Sequence, residues 1–187
     1  FKTAWLSVNL LTQLRRETAA CTAVLPYVLR RGCTRLPDLE AIAAELDGLY
    51  GAHITPVVHK LGEIQAVGFE ADFADDGALG EEIFPRLAAD VADLLLHPNT
   101  RGGLLRPDIV DSERTQLIAR IHAAVNNKRS YARERLYTHM CCCEDFAVPR
   151  LGEEADAERI HYRKLTMRYH DLLSTSPVEI FYCGSID

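Results

Sequence analysis

The chain has 187 residues, 48% of them hydrophobic and 26% charged, with a formal net charge of −6. That is enough apolar material for one well-formed core, and the acidic balance argues against a general nucleic-acid or anionic-membrane binder. No apolar run approaches the ~20 residues that cross a bilayer as a helix, and the N-terminus lacks the charged, apolar and small-residue order of a signal peptide.

In chain order, "AWLSVNLL" alternates, with Leu6, Val8 and Leu10 on one face, which predicts a half-buried strand. From Glu17 to Arg31 the residues Ala20, Val24, Tyr27 and Val28 recur at helical spacing, and Leu25 and Leu29 widen the apolar face, so a mostly buried helix is expected. Pro26 interrupts it, at a cost of ~3 kcal/mol for an interior helical proline. Pro37 reads as a first-turn residue of the next helix, whose apolar face is Leu39, Ile42, Ala43 and Leu46. Two strands, about 53–59 and 64–73, follow as a hairpin turning at "KLGE".

A helix carrying Leu87, Val91, Leu94 and Leu95 stops before Pro98, and "NTRGGLLRP" reads as a loop. Beyond Pro107 a strong helix places Ile109, Glu113, Leu117, Ile121 and Ala124 in register, and a second covers about 129–142. Its basic residues Lys128, Arg129, Arg133 and Arg135 read as a solvated face. After the loop "FAVPRLGEE" come a short helix, the helical "TMRYHDLLS" and a closing strand "VEIFYCGS". Hairpin-linked strands grouped apart from helices predict an α+β fold, an antiparallel sheet with helices packed mainly on one face.

The usual catalytic signatures are missing. There is no Gly-x-Ser-x-Gly elbow, no Walker loop, no Cys-x-x-Cys pair and no His-Glu-x-x-His or His-x-x-Glu-His motif. Six cysteines include the run Cys141-Cys142-Cys143; adjacent cysteines fit disulfide geometry poorly, so reduced thiols in a cytoplasmic protein are expected. The one candidate metal pair is His139 with Cys143, four residues apart on a helix and both able to bind zinc, though a closed site needs four ligands. His53 and His59 share a strand face and read as ordinary strand residues.

The ordered phrases resemble the insulinase/pitrilysin family of zinc peptidases over nearly the whole chain. "VLRRGC" resembles the stretch that follows that family's His-x-x-Glu-His helix, and "AIAAELDGLYGAHI" the next helix with its glycine-ended exit. "DSERTQLIARI" resembles the later helix carrying an acidic third ligand. "EDFAVPRLGEEADAERI" and "LTMRYHDLLSTSPVEIFYCGSID" resemble its closing helix–strand unit. The resemblance places the two histidine positions, by way of Gly32, at Ala23 and Tyr27, and the catalytic glutamate at Pro26. Registering the later helix on Glu113 and Arg114 places the third ligand at Arg120. Alanine and proline cannot ligate zinc, neutral tyrosine is a poor ligand, proline cannot serve as general base, and arginine repels a divalent ion. No histidine occurs between Glu17 and Gly32.

"VLPYVLRRG", "LDGLYGA" and "NNKRSYARERL" are most similar to the family's bacterial non-catalytic branch. The resemblance implies a processing-peptidase-like domain over 1–187, the N-terminal part of a longer multi-domain chain. That domain would have no cofactor and no catalytic residues, and it would form part of a peptide-enclosing chamber or support an active homologous subunit. A second copy of the fold and extended peptides are its expected partners, with neither nucleic acid nor membrane. Two alternatives stand beside it. One is an active zinc endopeptidase drawing ligands from His122, His139, Glu113 and the cysteines; the other is an interaction module with no peptide role.

Overall fold

The computed structural model describes residues 2–185. Phe1 lies outside them, as do Ile186 and Asp187 at the end of the last family-like phrase. Strand β1 (Thr3–Gln13) alternates as expected: Ala4, Leu6 and Leu10 are buried on one face. Strands β2 (His53–Leu61) and β3 (Ile64–Ala74) pair antiparallel from Leu61 opposite Ile64, so Gly62 and Glu63 form a two-residue turn. With β6 (Val178–Cys183) they complete an entirely antiparallel sheet in the order β2-β3-β1-β6. β1 is central, with Val8 opposite Phe69 on one side and Ile180 on the other.

Helix α1 (Arg16–Leu29) is the core helix, with ten of its fourteen residues buried, so its packing rather than local propensity holds it. It continues through Pro26, whose ring lies against the sheet beside Leu10 and Phe69. The proline carbonyl still accepts a hydrogen bond from the Arg30 N–H at 3.0 Å. One turn earlier the Thr22 hydroxyl accepts from Arg168 Nε at 2.9 Å, and Arg168 Nη2 donates to Thr12 Oγ1 at 3.1 Å, tying α8 (Tyr162–Thr175) to α1 and β1.

Helix α2 (Leu39–Gly48) begins two residues after Pro37, not on it. The Asp38 carboxylate accepts from the Ala41 N–H at 2.8 Å and so sets the start, because it satisfies a donor the helix leaves open. A short α3 (Asp76–Leu79) precedes α4 (Phe84–Leu96), which buries Leu87, Val91, Leu94 and Leu95 as its spacing predicts. Segment 100–105, expected as a loop, is a small hairpin of β4 (Thr100–Arg101) and β5 (Leu104–Leu105). Gly102 and Gly103 both have positive φ, at 62° and 76°, the backbone that a tight primed turn demands.

Helix α5 (Pro107–Ala123) buries Val110, Glu113 and Leu117. It passes through a single 3₁₀ turn (Ala124–Asn126) into α6 (Lys128–Met140), which Asn127 caps and which buries none of its residues. A second 3₁₀ turn (Asp145–Ala147) and α7 (Glu154–Glu158) lead to α8. Lys60 on β2 holds this segment down, donating to the Phe146 and Val148 carbonyls at 2.6 and 2.9 Å. The helical layer leaves β6 uncovered: Val178 and Ile180 lie on the helix-facing side of the sheet yet are 54% and 67% exposed. On the other face Phe181 rests against Trp5, ring centroids 5.6 Å apart.

All six cysteines are free. Burial pushes the Cys21 thiol up to about 11, and Cys33 is buried, whereas Cys142, Cys143 and Cys183 are exposed. A thiolate must be both formed and reached to react. With an excess of a disulfide reagent at pH 8, Cys142 and Cys183 are therefore expected to modify rapidly, Cys143 more slowly because its hydrogen bond with Cys142 raises its thiol, and Cys21 and Cys33 only on unfolding. Peptide mapping after a short labelling pulse checks this; rapid modification of Cys21 would contradict the packing of α1. Among the described residues no helix is long and apolar enough to cross a membrane.

Candidate functional site

An open cleft of about 630 Å³ lies between α1, α5, α6 and the segment 149–154. Its floor is the junction of α1 with α5. Tyr27, on the side of α1 that looks toward α5, lies under the Arg120 side chain, whose guanidinium carbon is 3.8 Å from the ring centroid. This is cation–π stacking at near van der Waals contact, an arrangement that suits the flat, weakly hydrated guanidinium. Two helical turns before Arg120 on α5, the Glu113 carboxylate is buried, its side chain 7% exposed. Its Oε1 accepts from Arg31 Nε at 2.7 Å, and its Oε2 lies 3.5 Å from Arg120 Nη2. Arg31 also donates from Nη2 to Ser112 Oγ at 3.2 Å. One carboxylate thus serves two guanidiniums and fixes the end of α1 against α5.

The far wall is held just as firmly. Gln65 on β3 is fully buried and donates from Nε2 to the carbonyls of Ala19 at 3.1 Å and Arg150 at 2.8 Å. Arg150 in turn donates to the Val58 carbonyl at 2.7 Å. Gly152 has φ 74°, and a Cβ there would stand 2.5 Å from the Ala20 nitrogen, so only glycine lets this segment lie directly on α1.

Of the four positions the sequence singles out on α1 and α5, the structure brings two together. Tyr27 and Arg120 touch across the helix junction. Ala23 is fully buried one turn before Tyr27, and Pro26 faces the sheet. His139 stands in the last turn of α6 with Nε2 3.2 Å from Arg135 Nη2. Cys143 lies beyond the helix end with its sulfur 3.8 Å from that of Cys142. His122 Nε2 is 2.8 Å from Glu154 Oε1 on α7, and His59 Nε2 is 2.9 Å from Glu70 Oε1 on the sheet. Among the described residues no group of three or more His, Cys, Asp or Glu side chains is placed to hold a metal ion. Sequence reasoning uses Glu113 as a helix-register residue and as an alternative zinc ligand, not as an arginine partner, and passes over Arg31. The available signal was the seven-residue spacing of Glu113 and Arg120, which stacks them on one face of α5.

Comparisons with known proteins come from two directions, since no family model matches the chain. A Bacillus subtilis protein named probable inactive metalloprotease YmfF is 26% identical over 189 residues, covering 100% of this chain and 44% of that protein. A conserved protein from Enterococcus faecalis V583 superposes with a TM-score of 0.90 at 23% identity, over 100% of this chain and 44% of its own. A peptidase M16 inactive domain from Pseudomonas fluorescens superposes with a TM-score of 0.68 at 14% identity, over 100% and 42%. The chain therefore spans less than half the length of each of these relatives. These superpositions show the fold: the antiparallel sheet with its helical layer is the fold of the M16-type inactive domain and of the Enterococcus protein.

Proposed function

We propose that the chain is a catalytically inactive M16-type domain that holds peptide in a chamber completed by a second domain of the same fold. The observation that carries this reading is the contact of Arg120 with Tyr27. The sequence resemblance assigns those two positions to zinc ligands, and their meeting across the junction of α1 and α5 is what that registration requires. A guanidinium resting on a phenol ring fills the place with a fixed positive charge, which opposes a divalent cation, and the general-base position is Pro26. The uncovered apolar side chains of β6 and the short span relative to the relatives both suit a companion domain, either in a longer chain or on an active homologous subunit. Free thiols throughout suit a reducing compartment, so we assign the domain to the bacterial cytoplasm.

Elemental analysis of protein purified without chelator or metal affinity, together with an assay on quenched unfolded peptides, tests this function. The expected result is no stoichiometric zinc and no hydrolysis, with retained peptide binding. Stoichiometric zinc accompanied by chelator-sensitive cleavage would overturn it.

A further inference from the structure

We propose that the cleft selects peptides by a carboxylate, gripped by Arg120. This deepens the peptide-holding reading and rests on it. The argument begins with charge. Arg31 and Arg120 share the single Glu113 carboxylate, so that node carries one positive charge more than it neutralises. Arg120 lines the cleft, and its side chain is 36% exposed. A carboxylate that meets the exposed part of this side chain would offset the surplus charge through charge-assisted hydrogen bonds.

The rest of the lining shifts the balance the same way. Three glutamates border the cleft, but Glu153 is engaged by Arg16 and Glu154 by His122, which leaves Glu134. Against it stand Arg120, Arg135 and Arg150. Arg150 spends a donor on a neutral carbonyl and Arg135 on a histidine nitrogen, so neither has its charge neutralised by a carboxylate in these bonds. The free cations therefore outnumber the free carboxylate.

Geometry adds specificity. Tyr27 seats the guanidinium carbon 3.8 Å over its ring, and a positioned fork is the form that meets a carboxylate with two parallel bonds. Beside it Ile121 and Leu151 give an apolar surface for the neighbouring side chain. At about 630 Å³ the cleft matches the size of sites that take a few residues of a ligand. The carboxylate can come from a peptide's C-terminus or from an aspartate or glutamate side chain.

Fluorescence anisotropy with the 187-residue chain and one labelled peptide in three forms tests the inference. The forms are an acidic peptide with a free C-terminus, the same peptide amidated, and the same peptide with its acidic side chains replaced by amides. Wild-type protein is expected to lose about ten-fold or more in affinity for whichever form lacks the recognised carboxylate, which also identifies its source. Arg120→Gln should lower affinity for the full peptide to that of the neutral form and leave the neutral form unchanged; Arg120→Lys should fall between. Thermal melts establish that the variants fold, and the wild-type peptide series decides the question even if they do not. Equal binding of all three forms overturns the carboxylate inference and leaves the peptide-holding reading intact. No binding of any form overturns both.

Discussion

Arg35→Ala is expected to destabilise the protein by about 3 kcal/mol, because it strands a buried carboxylate. Asp90 on α4 is 1% exposed and has Arg35 as its ion-pair partner. Arg35 also donates from Nε to Asp93 Oδ2 at 2.9 Å and lies 4.0 Å from Glu45, itself 2.8 Å from Arg86. The half-exposed arginine thus clamps α2 to α4, and its removal leaves the Asp90 charge in the interior with nothing to offset desolvation. For a chain of this length the loss corresponds to a fall of roughly 6–12 °C in Tm. The double variant Arg35→Ala/Asp90→Asn should recover most of it, since the uncompensated charge is gone. An unchanged melting temperature in the single variant would show that Asp90 has another source of compensation.

The same arginine shapes the acid limb of stability. Its hydrogen bond, and then that of His97, hold the Asp93 carboxyl below the ordinary value of 3.8. A carboxyl depressed in the folded state stabilises above its unfolded value, and that contribution is lost as pH falls through the lower, folded value. Titrating stability downward from pH 5 should therefore show a shallower acid loss in Arg35→Ala than in wild type.

Glu113→Ala is expected to have an effect of similar size, about 3 kcal/mol, by the opposite imbalance. It removes the one carboxylate between Arg31 and Arg120 and leaves two guanidiniums facing each other at the junction of α1 and α5. Part of the Arg120 alignment over Tyr27 goes with it, so acidic peptide binding should weaken along with stability. Glu113→Gln keeps the shape and one acceptor, and should recover part of the stability. Denaturant unfolding checks this as a lower midpoint with an unchanged slope; a Glu113→Ala midpoint equal to that of wild type would contradict the role assigned to the shared carboxylate.

Both predictions concern contacts between segments remote in sequence, and that marks where sequence reasoning stopped. Periodicity located β1, α1, α4 and α5 because each carries an apolar stripe long enough to define a face. The 100–105 hairpin was missed because two-residue strands have no measurable period, although the Gly102-Gly103 pair marks its turn. Helix α6 was read correctly as helix, yet local spacing gave no sign that it would bury nothing. Asp38 displaced Pro37 as the start of α2 because a side-chain acceptor for an open N–H outweighs a favourable φ.

By itself the sequence determined the α+β class and the ordered resemblance to insulinase-type domains. It also determined that α1 holds no histidine, since side-chain chemistry and local period are written residue by residue. Only the tertiary structure decided that Arg120 lies on Tyr27 and that one buried Glu113 answers two arginines. Those facts depend on how α5 packs across α1, and packing distances between remote segments leave no trace in local periodicity.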